Sequence, residues 1–370
     1  MPDLTQFDSY LSPDGPAALV LREHLMPVEG TDGVLFPATF AAGDGFPGGY
    51  NIDTDAKGNN VALIDSVGSQ ANRIEPIFKE EKYKHLVPQI VITAGDKEIN
   101  LLDAGHRAGD AIVRCSSLKE VIDAAFLASI RGDVEPLAKL APTSLVFGVW
   151  NSRGEKGSQE RRPRLIASTI RAFNVRKLTR HAQFVPATEY VNEGLLEEPA
   201  DKATKDAYAE RGYIHIPVTK VENTHGGVIA DGGVRRDATL GLAALRLLHA
   251  GKDEKKTLAL RRYILGLALV AFTHNPSGYI RQGCLLVVNP DQPREFVEVH
   301  PDGKRTPCGI THDAALKFAT DAAKAFGVGE SKTVPFDKER AKKDVKGEGE
   351  AKTKPKKPGK GKEKEGDGND

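Results

Sequence analysis

Tryptophan occurs once in this 370-residue chain, methionine twice and cysteine three times, and aromatic residues make up only 6%. The three cysteines, Cys115, Cys284 and Cys308, stand far apart with no CxxC pair. That spacing excludes a zinc ribbon and a disulfide framework, and leaves reduced, mostly buried thiols. Long apolar runs are missing too: YILGLALVAF, from Tyr263 to Phe272, falls well short of the roughly 20 residues that cross a bilayer. The opening MPDLTQFDSY has no signal-peptide character, so a cytoplasmic location without a membrane partner is expected. Neither sign of charge is in excess, since 52 Lys and Arg stand against 51 Asp and Glu for a formal +1. What is present, 39% hydrophobic residues, suffices for a globular protein with a sizeable core.

The familiar catalytic signatures are absent as well. There is no GxxxxGK[ST], no HExxH and no GxSxG, which removes phosphate-loop, zinc-protease and serine-hydrolase readings. GDGFPG (Gly43 to Gly48) spells GxGxxG, but Pro47 and the lack of a flanking strand and helix make it a loop. One constellation has chemical potential: LLDAGHRAGDAIVRCSS places Asp103, His106 and Asp110 close together beside Arg107 and Arg114. Two carboxylates and an imidazole suit divalent-ion binding or proton transfer during phosphodiester cleavage. Without metal-ligand spacing, the favoured reading is a turn whose carboxylates pair with arginine or cap amides. No metal, cofactor or enzymatic activity is expected.

Short apolar runs alternate with helical patterns. Asn60 to Ser66, His85 to Thr93, Thr143 to Trp150, Arg164 to Phe173 and Gly283 to Val288 read as strands. A capping box of Ser117 and Glu120 predicts a helix stopped by Gly132. Asp237 is expected to cap ATLGLAALRLLHAG, which ends at Gly251; EKKTLALRRYILGLALVAF and HDAALKFATDAAKAFG are further helices. This mixture without βαβ regularity predicts an α+β fold, a sheet covered by helices mainly on one face. Residues 1–340 are expected to form one domain. Residues 341–370, rich in Lys, Glu, Gly and Pro, read as a disordered tail.

Charge is neutral overall yet concentrated locally. RRPRLIASTIRAFNVRKLTRH, residues 161 to 181, carries six Arg and one Lys with no acidic residue. Alternation along the strand places Arg164, Ile166, Ser168, Ile170 and Ala172 on one face, and Leu165, Ala167, Thr169, Arg171 and Phe173 on the other. Arg161 and Arg162 enter the strand, and Arg176, Lys177, Arg180 and His181 leave it. Guanidinium groups on loops flanking a sheet suit a phosphate backbone, because each gives forked hydrogen bonds as well as charge. DGGVRRD adds Arg235 and Arg236, SGYIRQG adds Arg281, and GSQANRIEP offers Ser69, Gln70, Asn72 and Arg73 near a helix start, where phosphates and riboses are readily held. His106 and Arg107 complete the set of candidate nucleic-acid contacts.

Six segments, ALIDSVGSQANRIEPIF, NLLDAGHRAGDAIVRCSSL, LAPTSLVFGVWNSRG, RPRLIASTIRAFNVRKLTRHAQFVPA, HGGVIADGGVRRDATLGLAALRLL and RRYILGLALVAFTHNPSGYIRQGCLLV, together resemble the Cas-seven backbone subunit of type I-G (formerly I-U) CRISPR systems. The resemblance runs in order from about Phe36 to Asp344. It implies a modified RRM, or ferredoxin-like, core of the RAMP superfamily with large insertions, one of them a thumb-like hairpin for which residues 181–237 are the candidate. It also implies partners: a CRISPR RNA (crRNA), the target DNA strand through that guide, and neighbouring copies of the chain. Further implied partners are the other Cascade subunits, namely a large subunit and one of the Cas-five or Cas-six type, and a recruited helicase-nuclease. No RNP1 pattern with stacking aromatics is visible, so RNA binding independent of sequence is expected, with base pairing of the guide supplying specificity. Two alternatives remain open at this point: an RNA-cleaving relative using Asp103, His106 and Asp110, and a general single-strand RNA-binding protein.

Overall fold

The computed structural model describes residues 4–153, 157–180, 184–216, 225–275 and 278–346. Its centre is a nine-stranded sheet. Six strands matter most: β1 (Ala18–Pro27), β2 (Asn60–Asp65), β3 (Ile166–Phe173), β4 (Val234–Gly241), β5 (Cys284–Val288) and β6 (Glu295–Val299). The spatial order is β5, β1, β4, β3, β2, flanked by short strands Tyr279–Arg281 and Ile52–Thr54, while β6 pairs with the first half of β1. All these pairings are antiparallel. Placing β4 between β1 and β3, with β5 outside β1, is the split βαβ arrangement, compatible with an RRM-like core.

Alternation assigns the two faces. Along β1, Leu19, Leu21, Glu23 and Leu25 are buried while Val20, Arg22 and His24 are more open. Along β3 and β4 the buried sets are Ile166, Ser168, Ile170, Ala172 and Val234, Arg236, Ala238, Leu240. Helices cover that face: α1 (Val67–Ile74), α2 (Lys119–Ile130), α3 (Glu254–Thr273) and α4 (His312–Phe326). α3 starts at Asp253, which accepts from the amides of Lys255 and Lys256, and α4 at Thr311, which accepts from that of Ala314. The two helices cross closely because small residues meet there: a Cβ on Gly266 would approach the Ala319 Cα to 2.7 Å. No helix of the described residues is long and apolar enough to cross a membrane.

Several expectations change. Thr143–Phe147 is helical and fully buried, and only Val149–Asn151 is extended, after Gly148 at φ 81°. An apolar run buried on all sides carries no period, so its type was illegible. Residues Lys84–Leu86 form a 3₁₀ turn, and the strand begins only at Ile90. Asp237 lies inside β4 and caps nothing, because β1 and β3 draw it into the ladder; the helix after it is only Leu242–Leu245. At α2 the N-cap position is Leu118; the Ser116 hydroxyl accepts from the Leu118 amide, and Glu120 pairs with Arg340 at 2.8 Å.

Residues 341–346 of the expected disordered tail belong to the helix Lys338–Lys346, held by Arg114 to Asp344 at 3.1 Å, and residues 347–370 lie outside the described residues. Of the thumb candidate 181–237, the last residues are in strands: Val228–Ala230 forms a two-stranded ladder with Val175–Lys177, and β4 is central to the large sheet. The excursion from the sheet is therefore narrower. Its described part, 184–216, holds the helix Lys202–Glu210 and a bridge between Phe184 and Ile216.

Candidate nucleic-acid interface

The candidate residues separate into three groups. On the open face of the sheet, strand register puts Arg171 of β3 opposite Arg235 of β4, and Arg235 opposite His24 of β1, three basic side chains in one cross-strand row. The Arg235 guanidinium lies 4.6 Å from the centroid of the Phe173 ring, and Arg171 donates to Thr169 Oγ1 at 2.7 Å. In the adjoining row Asp237 accepts from Arg22 at 3.3 Å and from Arg235 at 3.0 Å, and Glu295 pairs with Arg22 and Arg305. Four arginines thus face two carboxylates, which order the guanidinium groups without neutralising them.

Beyond the end of β3 the chain turns at Asn174, φ 47°, into a separate two-stranded ladder, Val175–Lys177 with Val228–Ala230. Arg176 is bidentate on Asp231 at 2.6 and 3.0 Å, and that bond raises its pKa above the ordinary arginine value. Both side chains are about half-exposed or more, so the pair is exchangeable with a phosphate. Lys177 and Arg180 are exposed and make no ion pair among the described residues.

The second group gathers where β3 begins. Arg161 sits opposite Trp150 in the ladder Val149–Asn151 with Glu160–Arg162, and both are exposed. Arg162 is turned inward, donating to Ser129 Oγ at 2.7 Å and pairing with Glu160 at 2.8 Å. Arg164 is exposed as a residue, yet partial desolvation of its guanidinium, with the nearby Arg107 and Arg161, pulls its pKa below the ordinary value. Arg107 itself is buried at 6%, with φ 52°, donating to Glu75 at 2.6 Å and to the Gly148 carbonyl at 3.2 Å. It locks this corner from inside and offers no free surface to a ligand. His106 beside it is exposed.

The third group lies on the covered face. Asp65, wholly buried, accepts from Gln70 at 2.7 Å, Arg73 at 3.1 Å and Arg281 at 3.3 Å. Gln70 accepts in turn from Ser168 at 2.9 Å, and Arg236, 3% exposed, donates to Ser168 at 3.3 Å and pairs with Glu23 at 3.5 Å. Burial lowers the Arg236 pKa against the pull of Glu23. This polar belt separates two apolar clusters: Leu19, Leu21, Ile166 and Leu240 belong to one, and Leu25, Ile170, Ala172 and Val234 to the other. Ser69 is half-buried in the first turn of α1, where its amide donates to the cap Ser66, and exposed Asn72 accepts from Arg107 at 3.4 Å.

The Asp103 constellation is dispersed. Asp103 pairs with Lys79 at 2.5 Å, and Asp110 accepts from the amides of His106 and Ile112. Among the described residues no group of three or more His, Cys, Asp or Glu is placed to hold a metal ion. Sequence reasoning missed Trp150 as a surface aromatic, though a lone Trp before a Gly-rich loop was its signal. It also missed Glu23 and Asp65, because a buried carboxylate has no local mark.

Residues 19–177 match the family model of CRISPR-associated protein GSU0053, and that match supports a GSU-type CRISPR-associated protein. No curated protein matches the chain. The matched segment contains all but the first residue of β1, together with β2, β3, the Trp150–Arg161 corner and Arg176.

Proposed function

We propose that this GSU-type CRISPR-associated protein is the backbone subunit of a type I-G Cascade, a RAMP-type RNA-binding domain over residues 1–340 that holds crRNA through its phosphates. The observation that carries this reading is the cross-strand row Arg171, Arg235 and His24 on an open sheet face, followed along the chain by the exposed Arg176, Lys177 and Arg180. Such a row attracts a polyanion along its length and reads no base edge, so binding is expected to be independent of sequence. The excursion that includes 184–216 serves as the thumb. Copies stack head to tail on one guide, a heterologous contact whose length the RNA sets and no closed symmetry limits. The guide then pairs with the target DNA strand, the large and Cas-five or Cas-six-type subunits complete the complex, and a helicase-nuclease is recruited to it in the cytoplasm.

A binding role without catalysis accords with Asp103 and Asp110 being engaged by Lys79 and by backbone amides. Co-expression with a CRISPR array and the neighbouring subunits, followed by sequencing of the co-purified RNA, tests the whole reading. Enrichment of the crRNA is expected, with complex mass growing on longer guides. Recovery of bulk cellular RNA by a monomer, or divalent-ion-dependent cleavage abolished by Asp110→Ala, would replace it with one of the alternatives.

A further inference from the structure

We propose that a cavity of about 650 Å³ on the covered face of the sheet binds a guanine base. It opens between α1, the end of α3 and the strands Tyr279–Arg281 and β5, with Leu25, Ile74, Ile170 and Leu286 among its apolar walls. The volume falls within the range of roughly 300–1,000 Å³ found for small-molecule sites, and the lining mixes apolar walls with polar groups able to fix a ligand's orientation. Its polar lining includes Gln70, Glu80, His274 and Asn275, together with Glu23 and Arg236, two charged groups each over nine-tenths buried.

The two groups are partners of one another, but loosely. Glu23 meets Arg236 at 3.5 Å and Arg294 at 3.6 Å, distances long for a charge-assisted hydrogen bond. Arg236 donates its Nε to Ser168 and turns Nη1 toward Glu23, and its side chain lines the cavity. A buried carboxylate and guanidinium so loosely joined bear a desolvation cost that a ligand supplying hydrogen bonds to both would offset. The ligand must present donors to Glu23 and, beside them, an acceptor to Arg236. Guanine does this with its N1–H and 2-amino group next to O6. Adenine would set an acceptor, its N1, against the Glu23 carboxylate, and uracil and cytosine lack the paired donors. Arg73 stands at the same cavity, fixed to Asp65 through its Nε, so its terminal nitrogens are available for the phosphate of the nucleotide.

The pocket lies on the face of the sheet opposite the arginine row and does not depend on that row holding RNA. The base can come from a free nucleotide or be extruded from an RNA strand, and the test separates them. The full chain, freed of nucleic acid, is titrated calorimetrically with GMP, IMP and AMP, and with an all-uridine RNA oligonucleotide against the same oligonucleotide bearing one central guanosine. Saturable GMP binding is expected, with IMP, which lacks the 2-amino donor, weaker by about tenfold, and AMP weaker still, as hydrogen-bonding sites reject analogues that leave a buried group unpaired. Glu23→Gln should bring GMP down to the level of IMP or below, with the melting curve as control of folding. If that variant fails to fold, the GMP to IMP ratio on the unaltered protein decides.

A guanosine preference seen only in the oligonucleotides, and lost in Glu23→Gln, assigns the pocket to a base of a strand. Equal affinity for GMP, IMP and AMP with no guanosine preference in the oligonucleotides overturns the proposal, as does GMP binding that Glu23→Gln leaves unchanged. Replacing Arg171, Arg176 and Arg180 together should not alter GMP binding, so failure of the open-face reading and failure of this one are distinct results.

Discussion

Arg235 and Arg236 are consecutive in β4, yet they inhabit opposite environments. Arg235 lies over Phe173 on the open face in a row with Arg171 and His24; Arg236 is buried on the covered face against Glu23 and Ser168. The pleat alone separates them, since successive side chains leave a strand on opposite sides. The open face keeps its arginines by hydration and loose pairing with Asp237, at little cost. The covered face keeps its arginine only by a buried belt, Glu23, Ser168, Gln70 and Asp65, that interrupts the core. One residue type thus marks a binding surface on one side and a structural or ligand-facing device on the other, and local charge density does not tell them apart.

The sharpest break of this comparison is a pair of substitutions one residue apart. Arg236→Ala leaves Glu23 buried without its main partner and should destabilise the protein by about 3–5 kcal/mol in urea unfolding, whereas Arg235→Ala should stay within about 0.5 kcal/mol. Equal losses would mean that the open face is covered in solution. Next in size, replacing Arg171, Arg176 and Arg180 with Ala should flatten the slope of log affinity for single-stranded RNA against log salt by roughly 0.7 for each phosphate no longer neutralised, with the free protein almost as stable as before. An unchanged slope would make this a solvated face and move the RNA path elsewhere.

Trp150→Ala probes the corner where β3 begins. If a base stacks there beside Arg161, about 1–3 kcal/mol of RNA binding should vanish, evenly across sequences; a fluorescence signal from this lone tryptophan that ignores added RNA would count against it. The smallest effect concerns the covered face and pH. Burial holds His274 and His312 below the ordinary imidazole value, each disfavouring charge; Lys82 adds to this at both, and His312 and Arg236 at His274, while Glu80 and Asp313 oppose. Because the folded pKa values are depressed, this stabilisation is present above the unfolded value and is lost as pH falls through the folded ones. Unfolding free energy should therefore decline as pH falls below about 6.5, and His312→Gln should make that decline shallower.

Local pattern was enough to settle the class of fold and the location of the charge. Alternation in IASTIRAF placed Ile166, Ser168, Ile170 and Ala172 on one face and Arg171 with Phe173 on the other, and the long apolar helix ending at Phe272 was plain, because these patterns are periodic and local. The concentration of arginine at both ends of β3 was equally legible. Which arginines are available was settled by the folded chain alone. Arg107, Arg162 and Arg236 look like Arg161 and Arg235 in the sequence, but Glu75, Ser129 and Glu23, each far away along the chain, claim them. The helix Thr143–Phe147 and the place of Asp237 in β4 were hidden for the same reason: burial on all sides erases periodicity, and strand pairing overrides a cap that local sequence would favour. A long-range partner leaves no trace next to the residue it claims, so the division between surface and interior charge exists only once the sheet has closed around it.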